Sequence, residues 1–154
     1  MNATATLEAP PPAATFVPRI LVFSTNTISD PGIDLAGSAH MHYSPGVNDI
    51  GLPCTRGIRP SWILRAFEVG FDGVFVATDG EECSYLHDCA KRSNKVVQTA
   101  QKALKARGMD ASRIRVAAIC SGCAEPFTKH MTTFSAALVA MGPANARDHQ
   151  EPQA

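Results

Sequence analysis

The sequence predicts an α/β fold built on a small four-stranded parallel sheet with flanking helices, flavodoxin-like or Rossmann-like. Three observations carry this expectation: short apolar runs compatible with buried strands, helical periodicity between them, and turn or stop residues at the joints. Right-handed crossovers limit the possible topologies, and strand order 2-1-3-4 is the one expected.

Residues 19–23 (RILVF) are an apolar run ending in the polar Ser24, Thr25 and Asn26, and read as the first strand. Asp30 and Pro31 look like a helix N-cap and first helical position, with a short helix continuing over residues 33–39. Tyr43, Ser44, Pro45 and Gly46 signal a turn. Residues 47–52 form a weaker strand, interrupted by Asn48 and Asp49. Pro60 can open a second helix with Ile63, Leu64 and Phe67 as its apolar stripe and Gly70 as its left-handed stop. Residues 73–77 (GVFVA) are the clearest strand, and their unbroken apolar character suits a sheet covered on both faces. A long third helix is expected to end near Arg107, with Gly108 as its cap. Val96, Val97, Ala100 and Leu104 face inward, and Lys95, Gln98, Lys102 and Lys105 mostly face outward. Residues 114–119 (IRVAAI) make the fourth strand. The last helix starts near Pro126 and carries Phe127, Met131, Phe134 and Leu138 on one face, a core stripe.

A length of 154 residues fits one domain with one substantial core. The expected organisation is a flexible Ala/Pro-rich tail over residues 1–18, the α/β domain over 19–141 and a polar tail over 142–154. A formal net charge of zero offers nothing to draw nucleic acid or an anionic membrane. No apolar stretch approaches the ~20 residues that a membrane-spanning helix needs. The N-terminus has neither a basic start nor a continuous apolar run, so no signal peptide is expected and the cytoplasm is the expected compartment. There, clustered cysteines serve more often as ligands or redox groups than as structural disulfides.

Four of the five cysteines sit just past expected strands: Cys54 after the second, Cys83 after the third, and Cys120 and Cys123 after the fourth. In a parallel sheet all four lie on one edge, the edge where open α/β folds build their sites. Four thiolates suffice for a [2Fe–2S] cluster or a tetrahedral zinc ion, so Cys54, Cys83, Cys120 and Cys123 are the expected metal ligands. The second and fourth strands are outer strands about 14 Å apart, so the loops must fold inward over the sheet end. The Cys120-Ser121-Gly122-Cys123 spacing also permits a redox disulfide, and a helix N-terminus behind it favours thiolate. A thioredoxin-type site would place this motif after the first strand rather than the last.

Cys83, His87 and Cys89 form another grouping. If residues 85–90 are helical, Cys83 and His87 share a face and Cys89 turns away. His40 and His42 flank Met41 as an HxH pair, a spacing that can bind metal but that solvated histidines more often occupy. Glycine-rich phosphate loops, a GxSxG elbow and an HExxH pair are all missing. With no visible general acid–base pair or activated nucleophile, a non-catalytic subunit is expected over a free-standing enzyme.

An ordered set of residues then resembles a known family. It comprises Asp34-Leu35-Ala36-Gly37, Tyr43 and Pro45, Cys54 with Gly57 and Pro60, Ile63-Leu64-Arg65-Ala66-Phe67, Gly70 and Asp72-Gly73-Val74. Glu82-Cys83-Ser84-Tyr85, Gly108 and Arg113 extend it. The set is similar to the delta subunit of methyl-viologen-reducing hydrogenase. That resemblance implies a small α/β domain carrying a [2Fe–2S] cluster. The domain would relay electrons between an iron–sulfur or hydrogenase partner and a flavin-containing, heterodisulfide-reductase-like subunit. Its sequences typically carry two cysteines after the first strand, where this chain has Ser24-Thr25-Asn26-Thr27-Ile28-Ser29. A family cysteine shortly before Cys83 is also missing, and Thr78-Asp79-Gly80 stands there. Cys54 and Cys83 match the family, while Cys120 and Cys123 lie where it usually has none and would restore the count to four. The sequence thus leaves open an electron-transfer subunit with a rearranged cluster, a cluster-less structural or adaptor subunit, and a zinc or dithiol site.

Overall fold

The computed structural model describes residues 16–80, 83, 85 and 87–145. The chain runs β1 (Ile20–Thr25), α1 (Ser29–Ser38), β2 (Val47–Leu52), α2 (Pro60–Glu68), β3 (Gly73–Thr78), α3 (Cys89–Ala106), β4 (Ile114–Ala118) and α4 (Ala124–Met141). Short 3-10 turns at Thr55–Gly57 and Ala111–Arg113 precede α2 and β4. All strand pairs are parallel and the sheet order is β2-β1-β3-β4, the expected α/β arrangement. Of the expected tails, residues 1–15 and 146–154 lie outside the described residues.

Every residue of β1 and β3 is buried, which explains their unbroken apolar character. The helices cover them from two sides. Ile20, Val22, Phe75 and Ala77 pack against α1 and α4, where Phe127, Met131, Phe134 and Leu138 are all fully buried. Leu21, Phe23, Val74 and Val76 pack against α2 and α3 through Ile63, Phe67, Val97, Ala100 and Leu104. The expected stops hold: Gly70 and Gly108 adopt φ values of +94° and +78° just past α2 and α3. Among the described residues no helix is long and apolar enough to cross a membrane.

Two helices start earlier than the sequence indicates. The Ile28 N–H turns back to the Thr25 carbonyl at 3.1 Å, which leads the chain from β1 into α1 ahead of Asp30. α4 starts at Ala124, because Pro126 is tolerated anywhere in a first turn.

The edge at the N-terminal ends of the strands is fastened by two buried charged residues. Asp72 accepts the Arg19 N–H at 2.9 Å and the Ala144 N–H at 3.0 Å. Arg113 donates to the Asp72 carbonyl at 3.1 Å and to the Gly142 carbonyl at 2.9 Å. These bonds tie the starts of β1, β3 and β4 to the end of α4. Removing a buried charged acceptor leaves its donors unsatisfied, so Asp72→Ala is expected to destabilise the fold by about 1–3 kcal/mol in urea denaturation.

β2 is the exposed edge strand. Its Asp49 accepts a 2.9 Å hydrogen bond from the buried Ser24 hydroxyl. Asp49 is exposed as a residue, but its carboxyl end is partly shielded against Ser24, and that desolvation, with the Asp30 carboxyl beside it, raises its pKa from 3.8 to about 7. A raised carboxyl pKa stabilises the fold below the unfolded value and loses that contribution as pH climbs through the folded value. Urea midpoints should therefore fall between pH 4 and pH 7, and Asp49→Asn should flatten that fall.

Candidate metal centre

The edge at the C-terminal ends of the strands gathers most of the sulfur. After β2, Cys54 is extended and leads into the 3-10 turn at Thr55–Gly57. β3 ends on the buried Thr78, the chain continues from the buried Asp79 to the buried Cys83, and α3 opens on the fully buried Cys89. The loop after β2 folds inward across the end of β1. Thr55 Oγ1 donates to Thr78 Oγ1 at 3.5 Å, and the Thr78 hydroxyl bonds the Asp79 carbonyl at 3.2 Å. Asp88, at the mouth of α3, pairs with Arg56 at 3.6 Å and with Arg92 at 3.2 Å. Such exposed pairs contribute little energy but hold the turn against the helix.

This folding assembles a donor group. Asp79, Cys83 and Cys89 place ligand atoms all within 4.8 Å of one another, and all three residues are buried. Cys83 Sγ donates to Asp79 Oδ2 at 3.5 Å. Cys54 Sγ lies 3.9 Å from Cys89 Sγ, and Thr55 Oγ1 lies 3.9 Å from the same sulfur. Two sulfurs about 2.3 Å from one tetrahedral ion sit roughly 3.8 Å apart, so the Cys54–Cys89 separation suits a shared ion. Among the described residues, Asp79 Oδ1 is buried with no hydrogen-bond partner. A buried carboxylate oxygen without a partner is costly, and a cation would satisfy it. Two thiols and one carboxylate thus make a three-donor group that suits a thiophilic metal, and Cys54 stands beside it through its contact with Cys89 alone.

Burial, followed by the neighbouring Cys54, pushes the Cys89 pKa up to about 11. Without a cation this thiol keeps its proton at neutral pH, and a bound metal would reverse the preference.

Of the four sequence-derived ligands, the structure brings Cys54 and Cys83 to this group. Cys120 and Cys123 are joined to each other as a disulfide in the β4–α4 turn. Among the described residues, no sulfur contact links that pair to the other three cysteines. The ~14 Å between the second and fourth strands is bridged for neither of them. Cys89, which a helix over residues 85–90 would turn away, lies inside the group. The physical reason is the helix boundary: α3 starts at Cys89, and His87 and Asp88 form a turn. His87 is exposed and outside the group. His40 and His42 are not buried either, and no third donor gathers at them among the described residues. Asp79 is a donor that the sequence reading does not single out. Its signal is positional, since it stands in the segment where the resembling family has a further cysteine.

Cys54 is the half-buried member and opens to the surface. It lines a pocket of about 510 Å³ with Leu52, Arg56, Trp62 and Arg92.

Comparison with known proteins agrees with this architecture. The family described as methyl-viologen-reducing hydrogenase, delta subunit, matches residues 20–142. Similar proteins include one subunit of the ferredoxin:CoB-CoM heterodisulfide reductase from Methanosarcina mazei, 32% identical over 82% of this chain. The chain spans only 16% of that protein's length, and 17% of its counterpart in the ferredoxin/F420H2-dependent CoB-CoM heterodisulfide reductase of Methanosarcina acetivorans. It is also 30% identical to an iron-sulfur subunit of the F420-non-reducing hydrogenase vhc of Methanococcus voltae, covering 89% of this chain and 95% of that one. The match over residues 20–142 takes in the whole sheet, all four helices and every cysteine, and the chain therefore belongs to the methyl-viologen-reducing hydrogenase delta subunit family.

Proposed function

We propose that the protein is a non-catalytic electron-transfer subunit of a multi-subunit oxidoreductase. It would hold a [2Fe–2S] cluster on Cys54, Cys83 and Cys89 with Asp79 as the fourth donor; the donors stand at single-ion spacing, so loading would spread them until ligands of different irons lie more than roughly 5 Å apart. The observation that carries this reading is the gathering of Cys83 and Cys89 with the buried Asp79 carboxylate, one oxygen of which has no hydrogen-bond partner among the described residues, with Cys54 3.9 Å from Cys89. When bound, such a cluster supplies one-electron transfer at a potential set by its ligands, hydrogen bonds and exposure. The ligand set expected from the sequence, with Cys120 and Cys123 in place of Cys89 and Asp79, needs the disulfide opened and its turn carried over the sheet end. The Cys89–Asp79 set needs neither movement.

The residues around the group have separable tasks. Cys83, Cys89 and Asp79 are shielded from water, while Cys54 faces the pocket with Trp62 and the guanidinium groups of Arg56 and Arg92. That opening joins Cys54 to solvent, and its rim, two guanidinium groups against the single carboxylate of Asp88, keeps a net positive charge that suits an acidic docking partner. By the names of the relatives, the partners proposed are subunits of heterodisulfide-reductase or hydrogenase complexes, and the family resemblance implies that they carry flavin or iron–sulfur centres.

Anaerobic reconstitution with iron and sulfide should give visible absorption bands and, after reduction, an EPR signal. Iron and acid-labile sulfide should each approach about two per chain. Cys83→Ser and Cys89→Ser should lose most of the bound iron, while Cys120→Ser should retain it. Protein that takes up stoichiometric zinc and no iron would move the assignment to a structural zinc site.

One observation favours a cluster-less adaptor. In the first loop, where the family carries cysteines, Ser29 Oγ accepts the Thr25 N–H at 2.6 Å and donates to the Ala77 carbonyl at 2.8 Å. The loop is closed by its own hydroxyl. Under the adaptor reading, Cys89→Ser leaves both assembly and electron transfer of the purified complex unchanged. Under the electron-transfer reading, assembly persists and electron transfer falls by at least about tenfold.

A further inference from the structure

We propose that Cys120 and Cys123 form a second redox centre, a thiol–disulfide couple that exchanges two electrons with a dithiol on a partner protein. The proposal does not rest on the metal assignment. These two sulfurs bond each other and, among the described residues, make no contact with Cys54, Cys83 or Cys89.

The two sulfurs are unequal. Cys120 is exposed, as are Ser121 and Gly122, so a partner can reach its sulfur. Cys123 is partly buried, packs against the core beside α1 and α4, and caps the 18-residue α4. A partner thiolate would attack Cys120 Sγ, breaking the Cys120–Cys123 bond and expelling the Cys123 thiolate at the helix N-terminus. The helix dipole lowers the pKa of a thiol at that position, which makes it a good leaving group. The partner's second thiolate then attacks the mixed disulfide and releases Cys120. The partner dithiol is oxidised to a disulfide, Cys120 and Cys123 are reduced to two thiols, and two electrons and two protons are transferred. The reverse sequence reoxidises the pair.

The scaffold keeps the pair ready to close again. The Ile119 N–H bonds the Thr78 carbonyl at 3.0 Å, and the Cys123 N–H bonds the Cys120 carbonyl at 3.0 Å. Below the turn, a Cβ on Gly32 of α1 would collide with the Cys120 carbonyl, so the backbone has little room to drift. A purely structural role is the weaker explanation. The bond joins residues three apart in sequence, and so short a loop removes little freedom from the unfolded chain.

The test equilibrates the full chain anaerobically in graded mixtures of reduced and oxidised dithiothreitol. Acid quenching and maleimide labelling under denaturing conditions follow. A single reversible two-electron transition is expected, from three labelled cysteines at the oxidised end to five at the reduced end, with peptide mapping assigning the change to Cys120 and Cys123. Acid-trapped mixed disulfides formed when reduced glutathione attacks the oxidised wild-type chain should map to the exposed Cys120 about tenfold more often than to Cys123. Three outcomes would each overturn the proposal: a bond that resists reduction until the chain unfolds, a pair that stays reduced at the oxidised end, or mixed disulfides that map equally to both cysteines. Both measurements use the wild-type chain, so neither depends on the folding of a variant.

Discussion

The parallel pairing of β1 with both β2 and β3 is the constraint on which the rest of this protein depends. It places a fully buried strand at the centre of the sheet and requires a helix on each side of it. It sends the loops after β2 and β3 to the same edge, two strand spacings apart, or roughly 10 Å. Loops of the observed lengths close that gap across the end of β1, and the Thr55–Thr78 contact marks where they meet. β4 lies one spacing further out, and its loop closes on itself through Cys120 and Cys123.

The two edges of the sheet handle buried polarity in opposite ways. At the N-terminal edge, both carboxylate oxygens of Asp72 accept backbone N–H groups, and Arg113 directs its donors to carbonyls. That edge is complete and acts as a fastening. At the C-terminal edge, Asp79 keeps one oxygen without a partner among the described residues while three thiols stand close by. Full satisfaction at one edge and a shortfall at the other are the contrast on which the proposed metal centre rests.

The thiols divide into two kinds by geometry. Cys54, Cys83 and Cys89 come from different elements and converge without bonding, an arrangement that suits a shared ligand. Cys120 and Cys123 come from one turn and bond each other, an arrangement that suits exchange. A single edge can thus offer a one-electron centre and a two-electron centre on separate loops, each with its own opening to solvent through Cys54 or Cys120.

The sequence by itself determined the strands, their order and the covering of both sheet faces. Burial follows composition locally: the GVFVA run has to be a central strand, and the Phe127–Leu138 stripe has to face the core. It also placed Cys54 and Cys83 at strand ends, because strand ends are local features. Tertiary structure alone decided which donors share a site. Cys89 entered the group because α3 begins there, a boundary that side-chain periodicity does not mark. Asp79 became a candidate donor because it is buried just past Thr78, where β3 meets the turn that follows β2. Cys120 and Cys123 fell into a separate site because their strand is the outermost on that side. Each of these outcomes depends on distances between loops far apart in the chain, and hydrophobic patterning carries no record of such distances.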